Sequence, residues 1–478
     1  MTTEHHDGAH RHHRPQEPLL STRTALRLAL ATATAASLTG GLLAVSTGAA
    51  TAAAKPAAYA DDFNGDGFRD YATPGLAGFT VTYGTAKGPG TKSRSFTQDS
   101  PGIPGKAGGD GEEWDSFGRA LANADFNGDG YADLAVGDMS EKVGKRSSRG
   151  AVTIVWGSKS GLGSKATLIP AGGKPKADRY FGMALATGDF NGDGKADLAV
   201  SDAYSVYVYR GGFSSKTGGT GKVTQHRPGG GSDFSPFGLV AGQVTKDKAT
   251  DLYVLGAESE GDFTMRSVAW FLQGGATVKP GASTTYAVSD WLSTVAVVAD
   301  FDRDGYGDLA IGDPSHRKDA GAVTVVRGGK SGPAGSYRLT QSTKGVATAA
   351  TKGDSFGGGI SAGDVDKDGY PDLAVSASGE KVGKAENAGG VHILRGGAKG
   401  LTGARSQWFT RATPGVPGEP RENVPFGESL RLRDLDQDGY ADLLASEFAT
   451  KSQLLPGGKD GIGTAGTREV RLSADFVE

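Results

Sequence analysis

Six nonapeptides in this chain set oxygen-bearing side chains at alternate positions, a spacing suited to gripping a hard cation. The pattern is Asp-x-Asn/Asp-x-Asp-Gly-x-x-Asp, beginning at Asp62, Asp125, Asp189, Asp300, Asp364 and Asp434. Oxygens at positions 1, 3 and 5 converge when the backbone curls around an ion. Position 6 must then turn sharply, position 7 offers its carbonyl and position 9 closes the site. The expected ligands are Asp62, Asn64, Asp66, Phe68 and Asp70, then Asp125, Asn127, Asp129, Tyr131 and Asp133. The third and fourth sets are Asp189, Asn191, Asp193, Lys195 and Asp197, and Asp300, Asp302, Asp304, Tyr306 and Asp308. The last two are Asp364, Asp366, Asp368, Tyr370 and Asp372, and Asp434, Asp436, Asp438, Tyr440 and Asp442. Phe68, Tyr131, Lys195, Tyr306, Tyr370 and Tyr440 enter through backbone carbonyls alone. Donors that are all oxygen favour calcium over transition metals, and magnesium resists giving up its waters. The expectation is about six calcium ions, with Kd on the order of 10⁻⁴–10⁻³ M as in other extracellular modules.

An Asn-Gly dipeptide between apolar runs is also a hairpin signal, and Asn64-Gly65, Asn127-Gly128 and Asn191-Gly192 fit it. Later copies argue for coordination. Position 4 drifts to Arg303, Lys367 and Gln437, whereas position 3 changes only to Asp302, Asp366 and Asp436. Position 6 is glycine throughout. An EF-hand needs a glutamate at position 12 and flanking helices, and neither is present. Three or four carboxylates within nine residues require a counter-ion. A seventh, degraded copy at Gln243–Asp251 has Lys248 at the turn and is expected to bind nothing; Lys246 and Lys248 are expected to neutralise Asp247 and Asp251 instead.

The seven copies start 54 to 70 residues apart, so one unit repeats along the chain. A short apolar stretch such as Ala120-Leu121-Ala122 precedes each loop, and a run such as Leu134-Ala135-Val136 follows. Next comes a β-branched or aromatic run ending at glycine, as in Val152–Gly157, Val206–Gly211 and Val323–Gly328, then a less regular segment. No convincing helical period appears. Four short strands per unit, seven times over, predict an all-β, seven-bladed β-propeller of four-stranded blades with calcium-binding hairpin loops. Radial closure also protects strand edges. A parallel β-helix would have shorter rungs. The expected blades are 55–105, 106–170, 171–227, 228–286, 287–342, 343–411 and 412–478.

The rest of the composition narrows function. With 478 residues the chain exceeds one ordinary core, and a net charge of −3 leaves no basic footprint for nucleic acid. Cysteine is absent, which excludes disulfides and thiol chemistry. Arg11, Arg14, Arg23 and Arg27 precede an uncharged stretch from Leu28 to Ala54, so residues 1–54 read as a secretory signal. The mature chain is expected to be secreted and extracellular, monomeric, and without a membrane span. Outside the signal only His226, His316 and His392 remain, in different blades, and no nucleophile motif is present. The expectation is a non-enzymatic binding or scaffolding module; a secreted polysaccharide lyase or hydrolase is the alternative.

Phe-Gly recurs at Phe117-Gly118, Phe181-Gly182, Phe237-Gly238, Phe356-Gly357 and Phe426-Gly427. With the acidic loop, this resembles the FG-GAP repeat of the integrin α-subunit propeller and related bacterial secreted proteins. The resemblance implies calcium in the hairpin between the first two strands of a blade. It also implies ligand docking on the opposite face, here including 138–149, 313–320 and 378–388. Glu-Lys-Val-Gly-Lys occurs twice there, at Glu141–Lys145 and Glu380–Lys384. Among the long loops between blades, Asp110, Glu112, Glu113 and Trp114 form an acidic segment with an aromatic. The partner is an unknown protein or glycan. The phenylalanines are expected to pack between blades. Leu292-Ser293 replaces Phe-Gly in the fifth blade, and ring closure is open between an N-terminal strand, the tail near Val470–Phe476, and no exchange.

Overall fold

A computed structural model describes residues 57–107, 116–163, 165–173, 176–227, 234–259, 265–289, 295–448 and 451–477. Residues 1–54, expected to be a signal, Asp110–Trp114 and Leu292-Ser293 lie outside the described residues. Seven antiparallel sheets follow one another along the chain. The second blade shows the plan: β4 (Ala120–Ala124), β5 (Asp133–Asp138), β6 (Ala151–Val155) and β7 (Ala166–Leu168), in spatial order. In blades 2 to 7 the loop ends where the second strand of the blade begins, so position 9 is also a strand start; in blade 1 the strand begins one residue later, at Tyr71. The fourth strand of blade 4, Lys279–Ser289, runs past the boundary expected at residue 286.

Side chains alternate across a strand, and here both faces are covered. Leu134 and Val136 of β5 join a core with blade 1, while Ala135 between them joins a core with blade 3. This two-sided burial explains why these strands read as continuous apolar runs. Seven cores result, one between each pair of consecutive blades, the last joining Tyr71 of blade 1 to Leu444 and Phe476. The seven-bladed all-β propeller is therefore the observed fold.

Phe117, Phe181, Phe356 and Phe426 fill these cores as expected. The glycine that follows has a backbone reason. Gly182 sits at φ +92°, and a Cβ there would lie 2.6 Å from the Ala151 carbonyl of the neighbouring blade. Phe237 departs from the expectation: it is 39% exposed, and Phe234 takes the buried place, edge-on to Trp270. The register shifts between Pro236 and Gly238. Pro236 lacks an N–H for the ladder, and the resulting bulge turns the next side chain outward.

The ring closes through the C-terminal tail. Blade 1 has three strands of its own, Tyr71–Pro74, Phe79–Thr85 and Gly88–Phe96, and the first corresponds to the second strand of the other blades. The missing inner place is held by Ala474–Val477. Val477 N–H donates to the Ala72 carbonyl (3.0 Å), Phe476 meets Tyr71 edge-on at 5.0 Å, and Asp475–Val477 line the central channel beside the inner strands. Arg433 pairs across the same seam with the buried Asp61 of blade 1, which Arg69 of its own blade also contacts. Phe476 thus fills the core between blades 7 and 1.

Candidate metal centre

Each loop is organised by its first and last aspartates. Asp125 Oδ1 accepts N–H bonds from Gly128 (2.8 Å) and Asp129 (3.1 Å), and Oδ2 accepts from Gly130 (3.0 Å). Asp62, Asp189, Asp300, Asp364 and Asp434 play the same part in their loops. The position-5 carboxylate accepts from the N–H of position 7, seen at Phe68, Tyr131, Lys195, Tyr306, Tyr370 and Tyr440.

Position 9 is buried in every copy. Asp133 accepts from Phe126 N–H (3.0 Å) and Gly157 N–H (2.8 Å), tying the loop to the end of the third strand. Burial pushes this carboxyl up to about 8, the hydrogen bond from Gly157 opposes the rise, and the carboxylates of Asp129 and Asp125 add to it. Burial likewise raises Asp70, Asp197 and Asp442 to about 7, and Asp308 and Asp372 to about 6.

The turn survives in all copies. Position 4 has φ between +54° and +75° whether it is glycine, arginine, lysine or glutamine, within the left-handed region that other residues tolerate. Position 6 lies at +82° to +92°, where glycine is favoured. The constant glycine therefore reflects backbone shape and does not by itself separate coordination from a plain turn.

Donor geometry bears on the coordination reading in three of the loops. Asp300, Asp302 and Asp304 bring carboxylate oxygens within 4.8 Å of one another, as do Asp364, Asp366 and Asp372, and Asp434, Asp436 and Asp438. In the first three copies the third-position oxygen is the amide of Asn64, Asn127 or Asn191. Two ligand candidates leave a buried oxygen with no hydrogen-bond partner: Asp308 Oδ2 and Asp366 Oδ1. A buried, unsatisfied carboxylate oxygen beside further carboxylates suits a hard cation. The residues fit calcium.

The degraded loop differs as expected at its turn, since neither Lys246 nor Lys248 has positive φ. The expected neutralisation is corrected. Asp251 is satisfied by Val244 N–H, the N–H and hydroxyl of Thr245, and Gly274 N–H. Lys246 reaches the next loop, 4.3 Å above the Tyr306 ring.

That reach belongs to a pattern unseen in the sequence. Arg303 Nη1 donates to the Asp368 carbonyl (3.4 Å) and its guanidinium covers Tyr370. Lys367 Nζ donates to the Asp438 carbonyl (3.1 Å) and covers Tyr440, and Gln437 Nε2 donates to the Gly67 carbonyl (3.3 Å). Position 4 of one loop thus rests on the next. Its drift away from glycine was the available signal.

The Glu-Lys-Val-Gly-Lys loops also have a structural job. Glu141 accepts from Gln98 Nε2 (3.0 Å) and Glu380 from Gln341 Nε2 (2.6 Å), each clasping the preceding blade.

A ring of seven sheets with acidic hairpins between first and second strands defines a repeat-built β-propeller. The model for the FG-GAP-like repeat matches residues 125–200, and that for the FG-GAP repeat matches 291–326 and 356–394. The chain thus carries FG-GAP repeats within a seven-bladed β-propeller. It is 27% identical over 224 residues to integrin alpha-PS2 of Drosophila melanogaster, covering 42% of this chain and 15% of that protein. It is 30% identical over 216 residues to integrin alpha-8 of Mus musculus, covering 42% and 20%. It is also 30% identical over 186 residues to phosphatidylinositol-glycan-specific phospholipase D of Rattus norvegicus, covering 37% and 20%. The chain spans about a fifth or less of the length of these relatives.

Proposed function

We propose that this protein is a secreted, extracellular, calcium-pinned propeller that binds a protein or glycan ligand and performs no catalysis. One observation carries the binding reading. Leu76, Val143, Tyr204 and Phe237 are exposed on four consecutive blades, all at the end of the sheets opposite the acidic loops. Exposed apolar side chains gathered at one end mark interaction sites more readily than ones spread singly over a surface, and of the remaining two among the described residues, Leu168 and Val223, Val223 stands at the acidic end. The integrin relatives support the binding class; the phospholipase relative supports an enzyme equally by name, but each alignment covers a small part of the whole protein. Histidine placement favours binding: His226, His316 and His392 lie in three blades, and His392 is packed between Phe356 and Trp408. No described helix is long and apolar enough to cross a membrane.

Calcium would be held by the six loops and would supply positive charge to the converging carboxylates. The chain's own contribution is to aim those oxygens and tie each loop to its strands. The test is thermal unfolding with calcium and with chelator, then a glycan and matrix-protein array probed with the calcium-loaded chain. Chelation is expected to lower Tm markedly, and Asp129→Ala to give a smaller, local loss. A Tm indifferent to chelator, or an array blank for wild type and for a Tyr204→Ser/Phe237→Ser variant alike, would count against the reading.

A further inference from the structure

The six loops differ in the source of their counter-charge. In blade 5, Arg327 Nη1 donates to Asp302 Oδ2 at 2.6 Å. In blade 6, Arg395 Nη1 donates to Asp372 Oδ2 at 2.9 Å and Nη2 pairs with Asp366. Both arginines occupy one structural place, directly before the glycine whose N–H caps the position-9 aspartate, Gly328 and Gly396. In blade 7 that glycine is Gly457, and the residue before it is Pro456, which brings no cation. Among the described residues no ion pair is made by Asp434, Asp436, Asp438 or Asp442; Lys367 meets this loop through the Asp438 carbonyl and the Tyr440 ring. Blade 3 has Arg210 in the same place, but its third position is Asn191 and the guanidinium turns to the Ala276 carbonyl.

Loops 5, 6 and 7 each carry four aspartates, whereas the first three loops carry three and an asparagine. In loops 5 and 6 an arginine bonds to the candidate ligand carboxylates themselves, whereas in loop 7 the neighbouring cation, Lys367, bonds to a backbone carbonyl and leaves the four carboxylates unpaired. Arginine stays protonated. The Arg395 side chain is 4% exposed, so it cannot swing away without stranding a buried charge. Asp366 is then divided, Oδ2 facing the guanidinium while Oδ1 has no partner.

We propose that Arg327 and Arg395 act as built-in counter-ions that weaken calcium at loops 5 and 6, leaving Asp434–Asp442 as the tightest calcium site of the ring. The proposal rests on the calcium reading above. Affinity in such loops follows the number of charged ligands. A unit charge about 6 Å from a divalent ion changes its affinity about tenfold even at the dielectric of water. The placement matters because loop 7 borders the seam: Leu435 packs in the closing core and Gln437 bonds to Gly67 of blade 1.

Calorimetric titration of the full chain with calcium tests this through stoichiometry and affinity. Wild type is expected to show one site about tenfold tighter than the rest. Asp436→Asn, at an exposed position, should remove that tight step. Arg327→Gln, whose side chain is 38% exposed and safe for folding, should add a second tight site. A tight step unmoved by Asp436→Asn, or a count unchanged by Arg327→Gln, overturns the proposal while calcium binding itself stands. No calcium heat and no calcium-dependent Tm in wild type would overturn both readings.

Discussion

Truncating Phe476 to alanine tests whether the tail closes the ring. This side chain is fully buried, meets Tyr71 edge-on at 5.0 Å and lies under the guanidinium groups of Arg431 and Arg433. Removing a buried phenylalanine costs about 4 kcal/mol. The described ring holds about 390 residues, so its unfolding entropy is about 0.8 kcal/mol/K near 60 °C, and a Tm drop of about 5 °C follows for one cooperative unit. Calorimetry measures the shift. Limited proteolysis should also show the first cuts moving to the seam, near Tyr71–Pro74, because the inner place of blade 1 empties. A tail deletion from Ala474 should reproduce both effects at least as strongly. If Tm stays within 1 °C of wild type for both variants, the tail does not hold the ring and the reasoning fails.

Phe181→Ala is expected to cost about 3–5 kcal/mol in denaturant unfolding, whereas Phe237→Ser should cost less than about 1 kcal/mol, since only the first is buried. Equal losses would contradict the outward turn of Phe237. His392 is held neutral by burial alone, which lowers it to about 3. Its contribution is present above the unfolded-state value near 6.5 and is lost as pH falls from there toward 3, so His392→Phe should flatten the acid limb of a stability–pH curve over that window. Glu380 is raised to about 7 by burial and by the charge of Asp354, with Gln341 opposing. Its contribution is full below the unfolded value near 4.5 and fades as pH rises through 7; the stability of Glu380→Gln relative to wild type should therefore rise across that interval, as urea titrations at several pH values can show.

The repeat, its strand periods and the oxygen-bearing residues of all six loops were legible in the sequence, because residue spacing and two-residue alternation are local properties. Period and turn residues alone pointed to seven blades. What stayed hidden depends on neighbours brought together from distant chain segments. Asp475-Phe476-Val477 carries no repeat signature, and only the ring geometry makes those residues the missing inner strand of blade 1. Phe234 and Phe237 look interchangeable until the bulge at Pro236 selects which one faces the core. Arg395 and Asp366 are 29 residues apart, and Lys367 and Asp438 are 71 apart; no local pattern links such pairs, and the fold alone sets their contact. Sequence determined the kind of unit and its oxygen-rich loop, since each is encoded within a few residues. Tertiary structure decided how the units lock and which loops are already charge-matched, since those outcomes depend on which blades stand side by side.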